Sequence, residues 1–379
     1  RGSNAAATRI NSSGLIEKYR ENLLTRSQDF GNSQWFLGAN MSKTTGQTDP
    51  NGGNTAVLIS NLSNPNGYFY SQVSLQANTI NTFSIYIKGA SAGSVSIRID
   101  SNATGTRHDV NYTTEWTRVS CYQVVGQTNC EVVIGGFSTF IPGENIQFAF
   151  AQVESGLVAT DYLNSTTTTG KAGVLVDLPR INYDANGENG SLLLEPSRQQ
   201  LIQFSEYFAD SSYVLNGATI ATNSATSPDG YMNADNLIEN NVATQHRFIK
   251  STSLGGSVDS SAYVISIFVK NLGRNVQLND SNQSVNGMTA FNLQTKSVIS
   301  GTGKIEDYGN GWFRLSIYPL KDTSTTSNLF FNMINEVGAT FYTGDGTSGV
   351  SMFGIQVEPN ASYVSSYIPN HSGTGGVTR

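Results

Sequence analysis

Near the start of the chain stands Arg20-Glu21-Asn22-Leu23-Leu24-Thr25-Arg26-Ser27-Gln28-Asp29-Phe30. It returns in diverged form as Arg198-Gln199-Gln200-Leu201-Ile202-Gln203-Phe204-Ser205-Glu206-Tyr207-Phe208, with the same order of polar and apolar residues. Phe30 and Phe208 are 178 residues apart. The echo continues from Phe83-Ser84-Ile85-Tyr86-Ile87-Lys88 to Ile265-Ser266-Ile267-Phe268-Val269-Lys270, and from Trp116-Thr117-Arg118-Val119-Ser120 to Trp312-Phe313-Arg314-Leu315-Ser316. It closes with Gln152-Val153-Glu154 and Tyr162 against Gln356-Val357-Glu358 and Tyr367, by which point the shift has grown to 205. A period this long is a duplicated domain, with longer loops in the second copy, and not the 20 to 50 residue unit of a solenoid.

Two domains suit a length of 379 residues. Charged residues make up 13%, against about 25% in an average globular chain. Gly, Ser, Thr and Asn are abundant, and no long stretch keeps a helical period. Alternation with period two dominates instead, as in Asn81 to Lys88 and Ser94-Val95-Ser96-Ile97-Arg98-Ile99-Asp100, the mark of strands with one buried and one wet face. Turn chemistry punctuates the strands at Asp49-Pro50-Asn51-Gly52, Asn64-Pro65-Asn66-Gly67, Ser227-Pro228-Asp229-Gly230 and Tyr308-Gly309-Asn310-Gly311. The reading is all-β: two tandem antiparallel β-sandwiches of jelly-roll type, joined by a β-hairpin connector.

The expected boundaries are a lead-in at 1–19, module 1 at 20–165, a connector at 166–197, module 2 at 198–370 and a tail at 371–379. Arg1-Gly2-Ser3 reads as the remnant of a cleaved tag on a fragment that has lost an upstream domain. The connector places Gly173-Val174-Leu175-Val176 and Ser191-Leu192-Leu193-Leu194 around Asp184-Ala185-Asn186-Gly187. That composition is too hydrophobic for a flexible tether and predicts a hairpin. A net charge of −6 gives no footprint for nucleic acid or anionic lipid, and no apolar run is long enough to insert in a membrane. Cys121 and Cys130 flank Val125-Gly126; a hairpin turn there would bring them face to face, so a disulfide and two free thiols both stand as readings.

The landmarks resemble a family of jelly-roll modules related to carbohydrate-binding modules and found in phage tail-fibre, head-fibre and receptor-binding proteins. Those carrying the resemblance are Asn22-Leu23-Leu24 with Ser27 to Phe30 and Trp35, the Ser227-Pro228-Asp229-Gly230 turn, the Phe-x-Ile-Tyr-x-Lys and Trp-x-Arg-x-Ser strands, and Gln-x-Glu before a terminal Tyr. Pro179-Arg180-Ile181-Asn182-Tyr183 through Leu192 to Arg198 resembles the segment that precedes such modules. The resemblance implies a virion-surface adhesin, a homotrimer, other virion proteins as neighbours and host cell-surface carbohydrate as partner. It requires no cofactor; a structural Ca²⁺ on the first and last strands of each module would involve Asp29 with Glu154 and Glu206 with Glu358, whose hard oxygens suit that ion.

Sugar recognition needs a flat apolar face under the C–H side of a pyranose and planar polar groups for its hydroxyls. In Gly67-Tyr68-Phe69-Tyr70-Ser71-Gln72-Val73, alternation sends Tyr68, Tyr70 and Gln72 to one face and Phe69 and Val73 to the core. The corresponding stretch of module 2, Thr244-Gln245-His246-Arg247-Phe248-Ile249-Lys250, is more cationic, so His246 and Arg247 are its candidate contacts. Trp35 and Tyr213, and the Trp-x-Arg strands, read as scaffold, with each strand arginine pairing an acid. Gly89-Ala90-Ser91-Ala92-Gly93 matches a nucleophile elbow, which works only where a strand turns into a helix; here a second strand follows. The three histidines are scattered, which excludes a zinc motif. The acid pairs could serve glycoside hydrolysis only at a fixed separation. The expectation is therefore a non-enzymatic adhesin. The alternatives are a purely structural fibre or decoration protein, or carbohydrate-binding modules of a secreted polysaccharide-degrading enzyme.

Overall fold

The computed structural model describes residues 6–100, 105–175, 178–254, 261–281 and 287–379, and among these it is all β with no α-helix. Two compact units are present, Arg20–Ala172 and a second formed by Arg1–Tyr19 with Gly173–Arg379.

In the N-terminal module two five-stranded antiparallel sheets face each other. One runs Thr117–Val125, Thr79–Gly89, Asn145–Ser155, Ala56–Asn61, Met41–Gln47; the other runs Trp35–Leu37, Tyr68–Ser74, Asn129–Gly135, Gly93–Asp100, His108–Tyr112. Most successive strands cross between the sheets, which gives the jelly-roll connectivity; only Met41–Gln47 to Ala56–Asn61 and Gly93–Asp100 to His108–Tyr112 stay within one sheet. Inward residues of both sheets, among them Trp35, Phe69, Phe83 and Phe148, form one core with Phe30 of the opening turn. Each such ring contributes about 2–3 kcal/mol of transfer free energy.

The C-terminal module repeats the plan with two six-stranded sheets. The first runs Tyr213–Asn216, Arg247–Ser253, Thr326–Ile334, Asn275–Asp280, Met288–Asn292, Ser297–Ser300, and the second Ala218–Ala225, Ala234–Glu239, Gly349–Glu358, Val264–Leu272, Trp312–Ile317, Lys304–Asp307. The edge strands Ser297–Ser300 and Lys304–Asp307 account for part of the extra length of the second copy. Inside the connector, Ile181–Asn182 pairs with Ser191–Leu192 as a hairpin. Gln199–Gln200 pairs with Val377–Thr378, so the tail is stitched to the opening of its module. The lead-in belongs here too: Ile16 is buried with Phe268, Phe353 and Tyr367, and Thr8 Oγ1 donates to the Tyr367 carbonyl at 2.6 Å.

The repeated phrase does the same work in both modules. Asn22 Nδ2 donates to the Ala151 and Leu163 carbonyls while its Oδ1 accepts from Val153 N-H. Gln200, one methylene longer, makes the same three bonds with Ile355, Ile368 and Val357. Ser27 shares a hydrogen bond with Tyr162 at 2.6 Å, and Ser205 with Tyr367 at 2.7 Å. Arg26 and Phe204 are both left-handed (φ 57° and 49°). Their carbonyls accept from Trp35 Nε1 and the Tyr213 hydroxyl respectively, so two different aromatics plug the same place.

One open alternative is decided and two expectations are corrected. Cys121 and Cys130 are buried free thiols on strands of opposite sheets, because Gly126 to Thr128 carry the chain from one sheet to the other and do not turn a hairpin. Burial pushes the Cys121 thiol up to about 12. Arg118 and Arg314 donate to the Ser84 and Ser266 hydroxyls, and Arg314 also to the Ser365 carbonyl; among the described residues neither forms a close ion pair with an acid. Trp312 is buried, but Trp116 is half-buried against Ala56, Ala149 and Phe150.

Candidate functional site

Strand Tyr68–Ser74 alternates as its sequence predicts: Phe69, Ser71 and Val73 are buried, while Tyr68, Tyr70 and Gln72 face outward. Its register with Trp35–Leu37 sets Phe36 opposite Tyr70. The two rings stack with centroids 4.9 Å apart and planes 16° from parallel. Tyr68 follows at 6.0 Å from Tyr70. Phe36 is 40% and Tyr68 38% exposed, so three adjacent rings form an apolar platform on the outer face of the sheet. Gly38 makes the Tyr68 position possible, since a Cβ there would lie 3.2 and 3.3 Å from two ring carbons.

Polar groups line the platform. Gln72 pairs in register with Glu131, and Glu131 with Asp100 on the next strand, giving an amide and two carboxylates in one row. Burial, together with the Glu131 carboxylate and Tyr68, raises the Tyr70 phenol above its ordinary value. Among the described residues no hydrogen bond or ion pair occupies the Tyr68 and Tyr70 hydroxyls, the Gln72 amide or the Glu131 carboxylate. Beyond the row, Gly135, Gly136, Phe137 and Ser138 are all left-handed (φ 84°, 80°, 52° and 57°). For Phe137 and Ser138 this conformation is strained. The turn lifts the exposed Phe137 ring between the guanidinium groups of Arg98 at 4.9 Å and Arg107 at 5.5 Å.

Module 2 presents a different surface at the equivalent strands. Val214 pairs with Ile249 and Ile249 with Phe330, so two aliphatic side chains stand where Phe36 and Tyr70 stack, and the ring of this row lies on the third strand. Arg247 takes the place of Tyr68 and is half-buried, its guanidinium 4.8 Å from the Phe330 ring. The polar groups here are tied to each other, Ser251 to Asn328 and Asn332 to Gln277. His246 is not a contact residue: it is fully buried, with Nδ1 2.6 Å from the Gly217 carbonyl and Nε2 3.1 Å from the Tyr342 carbonyl.

The four acids expected around a metal have protein partners. Asp29 is exposed and pairs with Arg26 at 3.0 Å. Glu154 is buried and accepts from Gln152 and Thr160; burial raises it despite those bonds. Glu358 accepts from Ser365. Glu206 is buried between Lys18 (2.8 and 2.9 Å), the Tyr367 hydroxyl (3.0 Å) and His371 (3.2 Å). Burial alone would raise Glu206, but Lys18 and His371 hold it at about 2. Lys18 also contacts Asp229 at 2.6 Å, so an ammonium group already bridges the two carboxylates. Among the described residues no group of three or more His, Cys, Asp or Glu side chains is arranged to hold a metal ion. At Gly89 to Gly93 the strand leads to another strand, and the space a Cβ would need at either glycine is filled by the Tyr112 ring.

Phe36, Glu131 and Phe137 escape the reading of the sequence. Phe36 was legible in principle, as the outward neighbour of inward Trp35; Glu131 enters only through register.

The fold defines a tandem of jelly-roll β-sandwiches. No protein-family model and no curated protein matches the chain. Among solved structures it is similar to the N-terminal CBM22-1–CBM22-2 tandem domain of Paenibacillus barcinonensis Xyn10C, with 11% identity, covering 90% of this chain and 98% of that one, TM-score 0.33. It is also similar to TmCBM61 in complex with β-1,4-galactotriose, with 13% identity, covering 36% and 99%, TM-score 0.28. A third is the enzymatically active domain of bacteriophage CBA120 tailspike protein 4, with 17% identity, covering 36% and 21%, TM-score 0.27.

Proposed function

We propose that the chain is a non-enzymatic glycan-binding protein that works outside the cell through the outer face of module 1. The observation that carries this reading is the platform of Phe36, Tyr70 and Tyr68 beside unengaged polar groups of Gln72 and Glu131. Sugar C–H faces stack on such rings while hydroxyls take the amide and carboxylate. A shallow site of this kind is weak alone, and repetition on a multimer raises its avidity.

The resemblance of the connector and of the first module's opening to phage fibre proteins supports the fuller reading, a homotrimeric virion adhesin that binds host surface carbohydrate and needs no cofactor. Binding to an array of bacterial surface polysaccharides tests the site, with Tyr70→Ala and Tyr68→Ala as controls. Equal signal from wild type and both variants would remove the platform from the mechanism. Light scattering tests the trimer. Neighbouring genes for tail proteins, as opposed to polysaccharide hydrolases, separate the adhesin from a module of a secreted enzyme.

A further inference from the structure

The polar row beside the platform carries a charge imbalance. Glu131 and Asp100 are directly opposite on neighbouring strands, an arrangement that costs stability when both are ionised. The cations of this face are already committed. Arg98 pairs with Asp100 at 3.3 Å and donates to the Gly135 carbonyl at 3.0 Å. Arg107 pairs with Asp109 at 2.6 Å. Glu131 is therefore the uncompensated charge among the described residues of the face, and Tyr70 is close enough to feel its field. The equivalent row of module 2, Ser251, Asn328 and Ser281, contains no acid: Asn328 pairs with Ser251 in register, and Ser281 bonds Asn328.

Resting on the glycan reading, we infer that Glu131 is a specificity-determining residue that restricts the module 1 face to uncharged saccharides and rejects those bearing carboxylates. A uronate or sialate lying on the rings of Tyr70 and Tyr68 would bring a like charge within a Debye length, about 8 Å at physiological salt, of Glu131. Like charges juxtaposed at an interface are strongly unfavourable. A neutral pyranose meets no such field, and Glu131 can accept hydrogen bonds from its hydroxyls.

The test uses the full chain on an array that pairs neutral polysaccharides with derivatives of the same polymers oxidised at C6 to uronates. Wild type should bind the neutral members about tenfold more tightly than their oxidised partners, with the ratio shrinking as salt rises. Glu131→Gln relieves the cross-strand repulsion, so it should fold; it should close most of the gap by gaining affinity for the uronates. Equal or tighter uronate binding by wild type, or an unchanged ratio in Glu131→Gln, overturns the inference and leaves glycan binding intact. Failure to bind any member of either series overturns both readings.

Discussion

The two modules share a scaffold and differ in what they place on it. At matching strands, Phe36, Tyr68, Tyr70, Gln72 and Glu131 in the first correspond to Val214, Arg247, Ile249, Ser251 and Asn328 in the second. The first face has three neighbouring rings and open hydrogen-bonding groups; the second has Val214 and Ile249, the Phe330 ring covered by Arg247, and polar groups bonded among themselves. A buried difference runs the other way. Gln28, Asn51 and Val57 of module 1 match Glu206, Asp229 and Asp235 of module 2, and Lys18 from the lead-in inserts between the first two of these acids. Duplication preserved the parts that pair and pack, while each copy's outer face and buried charges diverged.

The largest expected effect tests the buried half of this contrast. Lys18→Met removes the ammonium that Glu206 and Asp229 share, leaving His371 as the remaining partner of Glu206, and removing one partner of a buried pair costs about 3–5 kcal/mol. Denaturant unfolding should show the C-terminal transition moving to lower concentration while the N-terminal one stays in place. A uniform shift of both would break the assignment of Lys18 to module 2.

Asp235 supplies the pH test. Burial, opposed by backbone donors and reinforced by Glu206, raises its carboxyl to about 7. The unfolded chain loses that proton near 4 and the folded module near 7, so stability from this group is complete below about 4 and is lost as pH rises to 7. The slope is at most about 1.4 kcal/mol per pH unit. Glu206 acts oppositely, since its depressed value removes stability as pH falls from about 4.5 towards 2. Module 2 should therefore be most stable near pH 4 to 5. Asp235→Asn should flatten the upper limb in a pH series of melting curves, and module 1, with Val57 there, should lack that limb.

Binding effects are smaller. Tyr70→Ala should weaken glycan binding by tenfold or more, about 1.4 kcal/mol, whereas Ile249→Ala should change it less than twofold. Calorimetry on both variants decides whether the faces are functionally unequal. Gly38→Ala should be the mildest, a loss of a few-fold with unchanged melting temperature, because its methyl crowds the Asn64 amide and the Tyr68 ring, both outside the core. A loss of stability instead would mark Gly38 as scaffold.

Strand alternation made Tyr68, Tyr70 and Gln72 legible together, because outward direction on a strand is a local property with period two. His246 was misplaced against that same rule. It shares the parity of buried Phe248 and Lys250, so period two sends it inward and Arg247 outward; only its covering partners, Gly217 and Tyr342, lie far off, 29 and 96 residues away. The state of Cys121 and Cys130 stayed open in the sequence, since a short connection between strands looks alike whether it turns within a sheet or crosses to the other.

By itself the sequence determined the all-β class, the duplication and the scaffold residues, because those follow from local periodicity and from repeated packing demands. Only the tertiary structure decided that Phe36 joins the tyrosines, that Glu131 stands beside them unneutralised, and that Lys18 occupies the place between two acids. Those relations are set by strand register and by chain segments distant in sequence, and neither leaves a periodic trace.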